Sequence, residues 1–227
     1  MTPLRPASGL ARVVVLGVPI AAALLAPRAA RAAGCPVPEM AAPTLASVDP
    51  AKRLAWIDAR LTGGERRARG WRWGWGGGFA AAGIGSLLAV PFVAPQNRVD
   101  YYADAVSAGV GVATVVIFPP AVLDAAPALR AEIARSPPSA DLCPLLQGAE
   151  AELVRVARDE ERQGAWYVHL GNVLFNVGLG LFLGIGYHHW EAGAINAGVG
   201  LVVGEAFIIT RPTAAIDDLA TYRAGAF

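Results

Sequence analysis

The chain has 227 residues, of which 55% are hydrophobic and 16% are charged, against roughly 25% charged residues in an ordinary globular protein. Its mean hydropathy is +0.44, and its formal net charge of +1 gives no indication of a nucleic acid or other polyanion as a partner. The apolar residues are concentrated in uncharged runs, which a water-soluble core does not need. These values favour an integral membrane protein.

The first 33 residues have the pattern of a secretory signal peptide. Arg5 and Arg12 precede an uncharged run, residues 13–26, and Ala30-Arg31-Ala32 supplies the small residues of a cleavage site. As a helix, residues 13–26 would reach about 21 Å, which is shorter than the roughly 30 Å hydrocarbon core. We therefore expect residues 1–33 to be removed during export, with an uncleaved anchor helix as the alternative.

The chain contains two cysteines, Cys35 and Cys143. In an exported protein, two cysteines indicate one disulfide bond. Two alternatives are open. Ala32-Ala33-Gly34-Cys35 has some features of a bacterial lipidation motif, although it lacks the large aliphatic residue expected three positions before the cysteine, and both cysteines could instead be free thiols.

Four further apolar runs are long enough to cross a bilayer. They comprise residues 73–94, 105–123, 164–187 and 192–210. Tryptophan and tyrosine residues cluster at their ends, as they do at membrane–water interfaces. The connections within each successive pair are short, so each pair forms an antiparallel hairpin. The predicted fold class is an all-α integral membrane four-helix bundle built from two transmembrane hairpins.

The remaining segments are predicted to lie outside the membrane. We expect residues 148–163 to continue the third span without a break. The predicted organisation after the signal peptide is an extramembrane segment with an amphipathic helix (34–72), the first hairpin (73–123), an extramembrane loop and helix extension (124–163), the second hairpin (164–211) and a polar tail (212–227).

The two halves of the chain resemble each other. A shift of 95 residues aligns the pairs Glu65/Glu160, Arg67/Arg162, Trp71/Trp166 and Gly76/Gly171. A Cys-Pro pair also stands upstream of each half, at Cys35 and Cys143. These matches indicate a duplicated unit with parallel repeats, which would place both cysteines on one side of the membrane. The alternative is that Gly- and Ala-rich membrane helices resemble one another by composition.

Glycines in the last two spans predict close helix packing. Gly180 and Gly184, and likewise Gly200 and Gly204, are spaced four residues apart. Apolar helices gain no hydrophobic drive to associate within lipid, so small residues that allow close backbone contact define the interface. We expect these four glycines to pack the spans into a compact bundle, and they also permit a homodimer.

Polar residues within the last two spans form the candidate functional site. His169, Asn172 and Asn176 follow spacings of three and four residues, so they share one face of the third span. Glu205 in the fourth span is expected at a similar depth, and an ionisable residue in a membrane span is a functional candidate. The patch could relay protons or bind a small polar ligand. The favoured interpretation is hydrogen bonding between the helices near the membrane interface, where Glu205 can reach water. His188 and His189, at the hairpin turn, are predicted to be solvated interfacial residues.

The orientation of the spans is predicted in conflicting ways. A cleaved signal peptide leaves the new N-terminus and the cysteine-bearing segments in the periplasm. The signal-peptide orientation also leaves Arg66, Arg67, Arg69 and Arg72 in the periplasm. The positive-inside rule places such arginines in the cytoplasm and therefore favours the opposite orientation. We adopt the signal-peptide orientation, since the N-terminal pattern and the cysteine pair agree with it.

The segment Gly204-Glu205-Ala-Phe-Ile-Ile-Thr210-Arg-Pro212 resembles the ends of uncharacterised small polytopic membrane proteins from GC-rich Gram-negative bacteria. This resemblance covers the last two spans and draws attention to Glu205 and Pro212. It implies no activity. The predicted location of the protein is the bacterial inner membrane.

No catalytic or metal-binding motif accompanies the spans. The sequence lacks H-E-x-x-H, G-x-S-x-G and C-x-x-C, so we expect no enzyme, no cofactor and no metal site. The first hypothesis is a structural or partner-binding envelope protein whose partners are the lipid bilayer and either a second copy or another envelope protein. The alternative is a small transporter, channel or proton-coupled component that uses the His/Asn/Glu patch.

Overall fold

The structure is a computed structural model that describes residues 35–227, so the predicted signal peptide lies outside the described residues. All of the regular secondary structure in these residues is helical, and four helices are long and apolar enough to cross a membrane. The predicted all-α fold with four spans is therefore confirmed. The α-helices are α1 (Pro50–Ala89), α2 (Arg98–Ile117), α3 (Val122–Arg135), α4 (Leu142–Gln163), α5 (Trp166–Tyr187), α6 (Trp190–Ile209) and α7 (Ala214–Ala224).

Helix α1 combines an extramembrane half and a membrane-spanning half without a break. It has 40 residues, which corresponds to about 60 Å, twice the hydrocarbon thickness. Asp49 caps its N-terminus by accepting hydrogen bonds from the next backbone N–H groups. Leu54, Ile57 and Leu61 are buried along one face of the first half, whereas the second half is rich in Gly and Ala. The first half therefore has the sequence of a helix that packs in water, and the second half has the sequence of a helix in lipid.

The first half of α1 packs with α3, α4 and α7 to form what we call the extramembrane region. Its core contains Leu61, Leu129, Leu146 and Leu153, which are all almost completely buried. Helices α3 and α7 lie in segments that the sequence described as a loop and a polar tail. They form because each carries apolar residues at helical spacing, such as those of α3 at Val122, Ala125, Ala126 and Leu129.

The predicted disulfide is present. Cys35 and Cys143 are bonded, with their Cα atoms 5.2 Å apart. Cys143 lies in the first turn of α4, where Asp141 caps the helix by accepting a hydrogen bond from the Cys143 backbone N–H. The bond therefore fastens the N-terminal segment to the start of α4.

The spans form the two predicted hairpins, α1 with α2 and α5 with α6, with two differences in detail. Residues 148–163 do not continue into the third span, because α4 ends at Gln163 and α5 begins at Trp166. Gly164 ends α4, and the extended backbone of Ala165 starts a new helix. The second span also ends earlier than residue 123, since α2 stops at Ile117 just before two prolines.

Candidate functional site

The structure brings the four predicted residues of the polar patch together between α5 and α6. His169, Asn172 and Asn176 lie on one face of α5, and Glu205 lies on α6 one turn before its end. The Nδ1 atom of His169 is 2.6 Å from Oε2 of Glu205. The side-chain amide of Asn172 donates to Oε1 of the same carboxylate at 2.9 Å. Both oxygens of Glu205 therefore have a partner on α5.

The two asparagines extend this chain toward the middle of the hairpin. The amide of Asn176 donates to the backbone oxygen of Asn172 at 2.8 Å and to its side-chain oxygen at 2.7 Å. Asn172 also donates to the backbone oxygen of Leu201 on α6 at 3.2 Å. Asn176 is only 3% exposed, and a buried amide needs such partners because leaving it unpaired costs free energy. The patch is thus a continuous hydrogen-bonded chain from Asn176 to His169.

Glycines on α6 make room for the asparagines. A Cβ on Gly204 would collide with the side-chain oxygen of Asn172, and a Cβ on Gly200 would collide with that of Asn176. The predicted packing role of these two glycines therefore takes a specific form, in which each receives an amide side chain rather than a neighbouring backbone.

The other two predicted glycines lie nearer the hairpin turn. A Cβ on Gly180 would stand 2.6 Å from the backbone oxygen of Gly193, which is the close backbone approach that small residues allow. A Cβ on Gly184 would stand 2.5 Å from the indole ring of Trp190. Gly193 was not among the predicted packing residues, because no other glycine stands four residues before or after it in the sequence.

The outer end of the chain is accessible. The side chains of His169 and Glu205 are 36% and 33% exposed. His169 is three residues from the start of α5 and Glu205 is four residues from the end of α6, so the pair lies about one helical turn from the extramembrane region. Such a pair can exchange a proton or hold two helices together, and its position near the membrane surface suits either role.

Two further polar pairs connect the two hairpins at the opposite end of the spans. Nδ1 of His189 lies 2.8 Å from Oδ1 of Asp100. The amide of Asn196 donates to Asp104 at 2.5 Å. His189, predicted to be a solvated interfacial residue, is 22% exposed and also bonds to Asp100 in the first turn of α2. A signal was available, since an acidic residue and a histidine flank spans that end at the same membrane surface.

A third group of polar contacts lies where the spans meet the extramembrane region. Asp159 accepts a hydrogen bond from the backbone N–H of Ala121, just before α3, at 3.0 Å. Glu160 accepts from the backbone N–H groups of Ala215 and Ile216 in the first turn of α7, at 2.8 and 3.3 Å. Burial raises the pKa of Glu160 to about 7, although the two backbone donors act in the opposite direction. Helix α4 therefore anchors both short helices by their N-termini.

Comparison with known proteins identifies no relative. No protein-family model, no curated protein and no solved structure matches the chain.

Proposed function

We propose that this chain is a non-enzymatic protein of the bacterial inner membrane, which presents its extramembrane region in the periplasm as a structural or partner-binding element. The single observation that carries the proposal is the buried polar network formed by Arg53, Glu150 and Tyr222. It ties together three helices that are far apart in sequence.

The network lies inside the extramembrane region. Arg53 is 1% exposed and forms an ion pair with Glu150, while its Nε atom donates to the hydroxyl of Tyr222 at 2.9 Å. Tyr222 also donates to Glu150. Because each charged group has a hydrogen-bonding partner, these interactions partly offset the free-energy cost of burying the two charges. The network joins α1, α4 and α7, which supports a surface of fixed shape that a partner could bind.

The first described segment of the chain and helix α7 are held together in the extramembrane region. The backbone N–H of Ala42 donates to the oxygen of Arg223 at 2.7 Å, and the hydroxyl of Thr44 donates to the oxygen of Ala224 at 3.0 Å. The disulfide from Cys35 adds a covalent link to α4. The N-terminal segment, α4 and α7 are thus fastened to one another, which supports a role that depends on a fixed surface.

Helix α1 runs without a break from the extramembrane region into the membrane. This continuity supports a fixed position of the extramembrane region above the membrane. Further contacts lie where the spans meet the extramembrane region. Arg211 lies over the ring of Trp71 at 5.1 Å and donates to the backbone oxygen of Phe118 at 3.1 Å. Trp75 donates from its indole nitrogen to the hydroxyl of Thr210 at 3.0 Å. These contacts join the two hairpins to each other at the ends of the spans that are nearest the extramembrane region.

The geometry of the polar patch supports a structural role for it. Glu205 receives partners on both oxygens from the adjacent helix, and the asparagines fit against glycines on α6. Hydrogen bonds of this kind between membrane helices contribute on average about 0.6 kcal/mol each. These contacts support a role for the patch in holding α5 and α6 together.

We also infer that the two halves arose by duplication. In each half a span is followed by a proline and then a short helix, with α3 beginning two residues after Pro120 and α7 beginning two residues after Pro212. The aligned residues Glu65 and Glu160 are both buried and both bond to the short helix of their own half, Glu65 through Arg130 on α3. Trp71 and Trp166 differ, since Trp71 is buried and Trp166 is exposed.

The periplasmic location is supported by the disulfide, because such bonds persist in oxidising compartments. The arginines that oppose this orientation have structural contacts or solvent access in the extramembrane region. Arg69 pairs with Glu65 at 2.5 Å, whereas Arg66 and Arg67 are exposed.

The test is photo-crosslinking in cells, with the photoreactive residue placed in turn at exposed positions of α3 and α4 such as Glu132, Ala151 and Arg158. A structural or partner-binding role predicts adducts of defined mass from one contiguous surface, in both the wild type and Glu205→Gln. Absence of adducts at all positions would contradict it. Proton flux in proteoliposomes that disappears in Glu205→Gln would instead support the alternative of a proton-coupled transporter.

A further inference from the structure

A large cavity separates the two hairpins within the membrane-spanning part of the molecule. Its volume is about 750 Å³, and it is partly open at the side. Ligand-binding cavities in proteins typically have volumes of roughly 300–1,000 Å³. The cavity is therefore large enough for a ligand. Its lining includes Asn172 and Asn176 of the polar patch but not His169 or Glu205.

The cavity is elongated along the spans. Its lining on α2 extends from Asp100 to Thr114, and its lining on α5 extends from Val168 to Leu183. These stretches correspond to about 21 Å and 22 Å along a helix. A ligand that fills the cavity must therefore be long and narrow, with the dimensions of an alkyl chain and a headgroup rather than of a compact metabolite.

Most of the lining is apolar. Between its two ends the wall is formed mainly by aliphatic and aromatic side chains, including Val110, Phe175, Ile195, Val199 and Val203. Apolar side chains of this kind contact an alkyl chain favourably and offer no hydrogen-bonding partner to a polar ligand. An alkyl chain matches the wall in both polarity and shape.

One end of the cavity carries negative charge. Asp100 and Asp104 are the charged side chains among the described residues that line it. Asp100 has His189 as a partner at 2.8 Å, whereas Asp104 accepts a hydrogen bond from the neutral amide of Asn196. Within the described part of the chain, no basic side chain pairs with Asp104. The carboxylate of Asp104 therefore favours a positively charged group at this end.

We propose that this cavity binds an elongated amphiphile with an amine or quaternary ammonium headgroup. The headgroup lies beside Asp104, where the ring of Tyr101 offers an additional aromatic face for a cation. The alkyl chain lies along the apolar wall toward Thr114 and Phe207. The cavity shares Asn172, Asn176, Gly200 and Gly204 with the polar patch, but the proposed cation site at Asp104 lies at the other end of the cavity.

The test uses the full chain in lipid nanodiscs and isothermal titration with tetradecyltrimethylammonium, after subtraction of its partitioning into empty nanodiscs. Tetradecyl sulfate, which has the same chain and the opposite charge, is the ligand control. We expect saturable binding of the cation, at least tenfold tighter than that of the sulfate. No saturable binding, or equal affinity for the two ligands, would overturn the proposal.

Two variants locate the binding in the cavity. Asp104→Asn keeps an oxygen that can accept from Asn196 but removes the charge, so we expect affinity for the cation to fall about tenfold. Glu191→Gln, which changes an exposed acidic residue of α6 outside the cavity lining, is the matched control and should bind like the wild type. Val199→Trp fills the cavity and should abolish binding. Wild-type affinity in both Asp104→Asn and Val199→Trp would overturn the proposal.

Discussion

The side-chain oxygen of Asn172 lies where a Cβ on Gly204 would project, and Asn176 stands in the same relation to Gly200. Each amide is therefore seated against the backbone of α6 one turn apart from the other. The same amides belong to the hydrogen-bonded chain that ends at Glu205. Packing and hydrogen bonding in this hairpin thus depend on each other, since a larger residue on α6 would displace the polar chain on α5.

Gly204→Ala tests this dependence. The added methyl group must displace Asn172, so we expect the variant to be destabilised by about 1–3 kcal/mol, as for other overpacked sites. Gly198→Ala is the control, because a Cβ at residue 198 meets no atom within 4 Å. Thermal unfolding of the purified protein in micelles, followed by tryptophan fluorescence, measures both. Equal unfolding midpoints for the two variants would contradict the packing account.

The sequence could predict this hairpin because helical spacing alone places three polar residues on one face of α5. It could also predict that Glu205 lies near their level, since both helices run from one short turn. It could not predict that Gly200 and Gly204 receive the amide side chains. That arrangement depends on the rotation of α6 about its axis, which glycine spacing does not specify.

Arg53→Met tests the buried network of the extramembrane region. Removing the guanidinium leaves the carboxylate of Glu150 buried without its cation, so we expect a loss of about 3–5 kcal/mol in the free energy of unfolding. Lys52→Met is the matched control, because Lys52 precedes Arg53 on α1 and is exposed. Chemical denaturation monitored by circular dichroism measures the difference. A loss below 1 kcal/mol for Arg53→Met would show that the network contributes little to stability.

Stability should also depend on pH through Glu160. Burial raises the pKa of Glu160 from its ordinary value of 4.5 to about 7, so between these values the folded state holds a proton that the unfolded state releases. The resulting stabilisation is fully present below about pH 4.5 and is lost as the pH rises to about 7. We expect the unfolding midpoint to fall over this interval.

Two variants assign this pH dependence. Glu160→Gln should flatten the decline between pH 5 and 7, because its side chain no longer titrates and can still accept hydrogen bonds from α7. Glu161→Gln changes the exposed neighbouring residue and should retain the decline. The same decline in both variants would show that Glu160 is not its source, and burial of Asp218, whose pKa is also raised, would then be the next group to test.

The disulfide should stabilise the extramembrane region. Cys35 and Cys143 are separated by 108 residues, and a cross-link that closes a long loop typically contributes about 2–4 kcal/mol. We expect Cys143→Ser to lower the unfolding midpoint in the absence of reductant. In the presence of reductant, the wild type should approach the variant. A midpoint that is unaffected by either change would contradict a stabilising role.

The extramembrane helices illustrate where sequence patterns were insufficient. Helix α7 has 11 residues, and such a short helix gains most of its stability from packing rather than from its own residues. Its apolar residues Leu219 and Tyr222 are buried only because α1 and α4 are present. The interruption at Gly164 was missed for a related reason, since one glycine within a helical pattern is compatible with either a continuous helix or a helix end.

The pairs at the far end of the spans were missed because they join different hairpins. Asp104 and Asn196 are 92 residues apart, and no repeated spacing relates them. Their proximity follows from how the two hairpins lie against each other, which is a property of the assembled bundle. The cavity between the hairpins could not be predicted for the same reason.

Thiol labelling of intact cells with a membrane-impermeant reagent, with and without prior reduction, tests the central claim most directly. The claim is that a disulfide-bonded helical region is presented on the outer side of the inner membrane. With the outer membrane permeabilised, labelling should appear only after reduction, and intact mass should show that residues 1–33 are absent. Labelling that appears only after lysis would place Cys35 and Cys143 in the cytoplasm. That result would contradict the proposed orientation and agree with the arginine distribution.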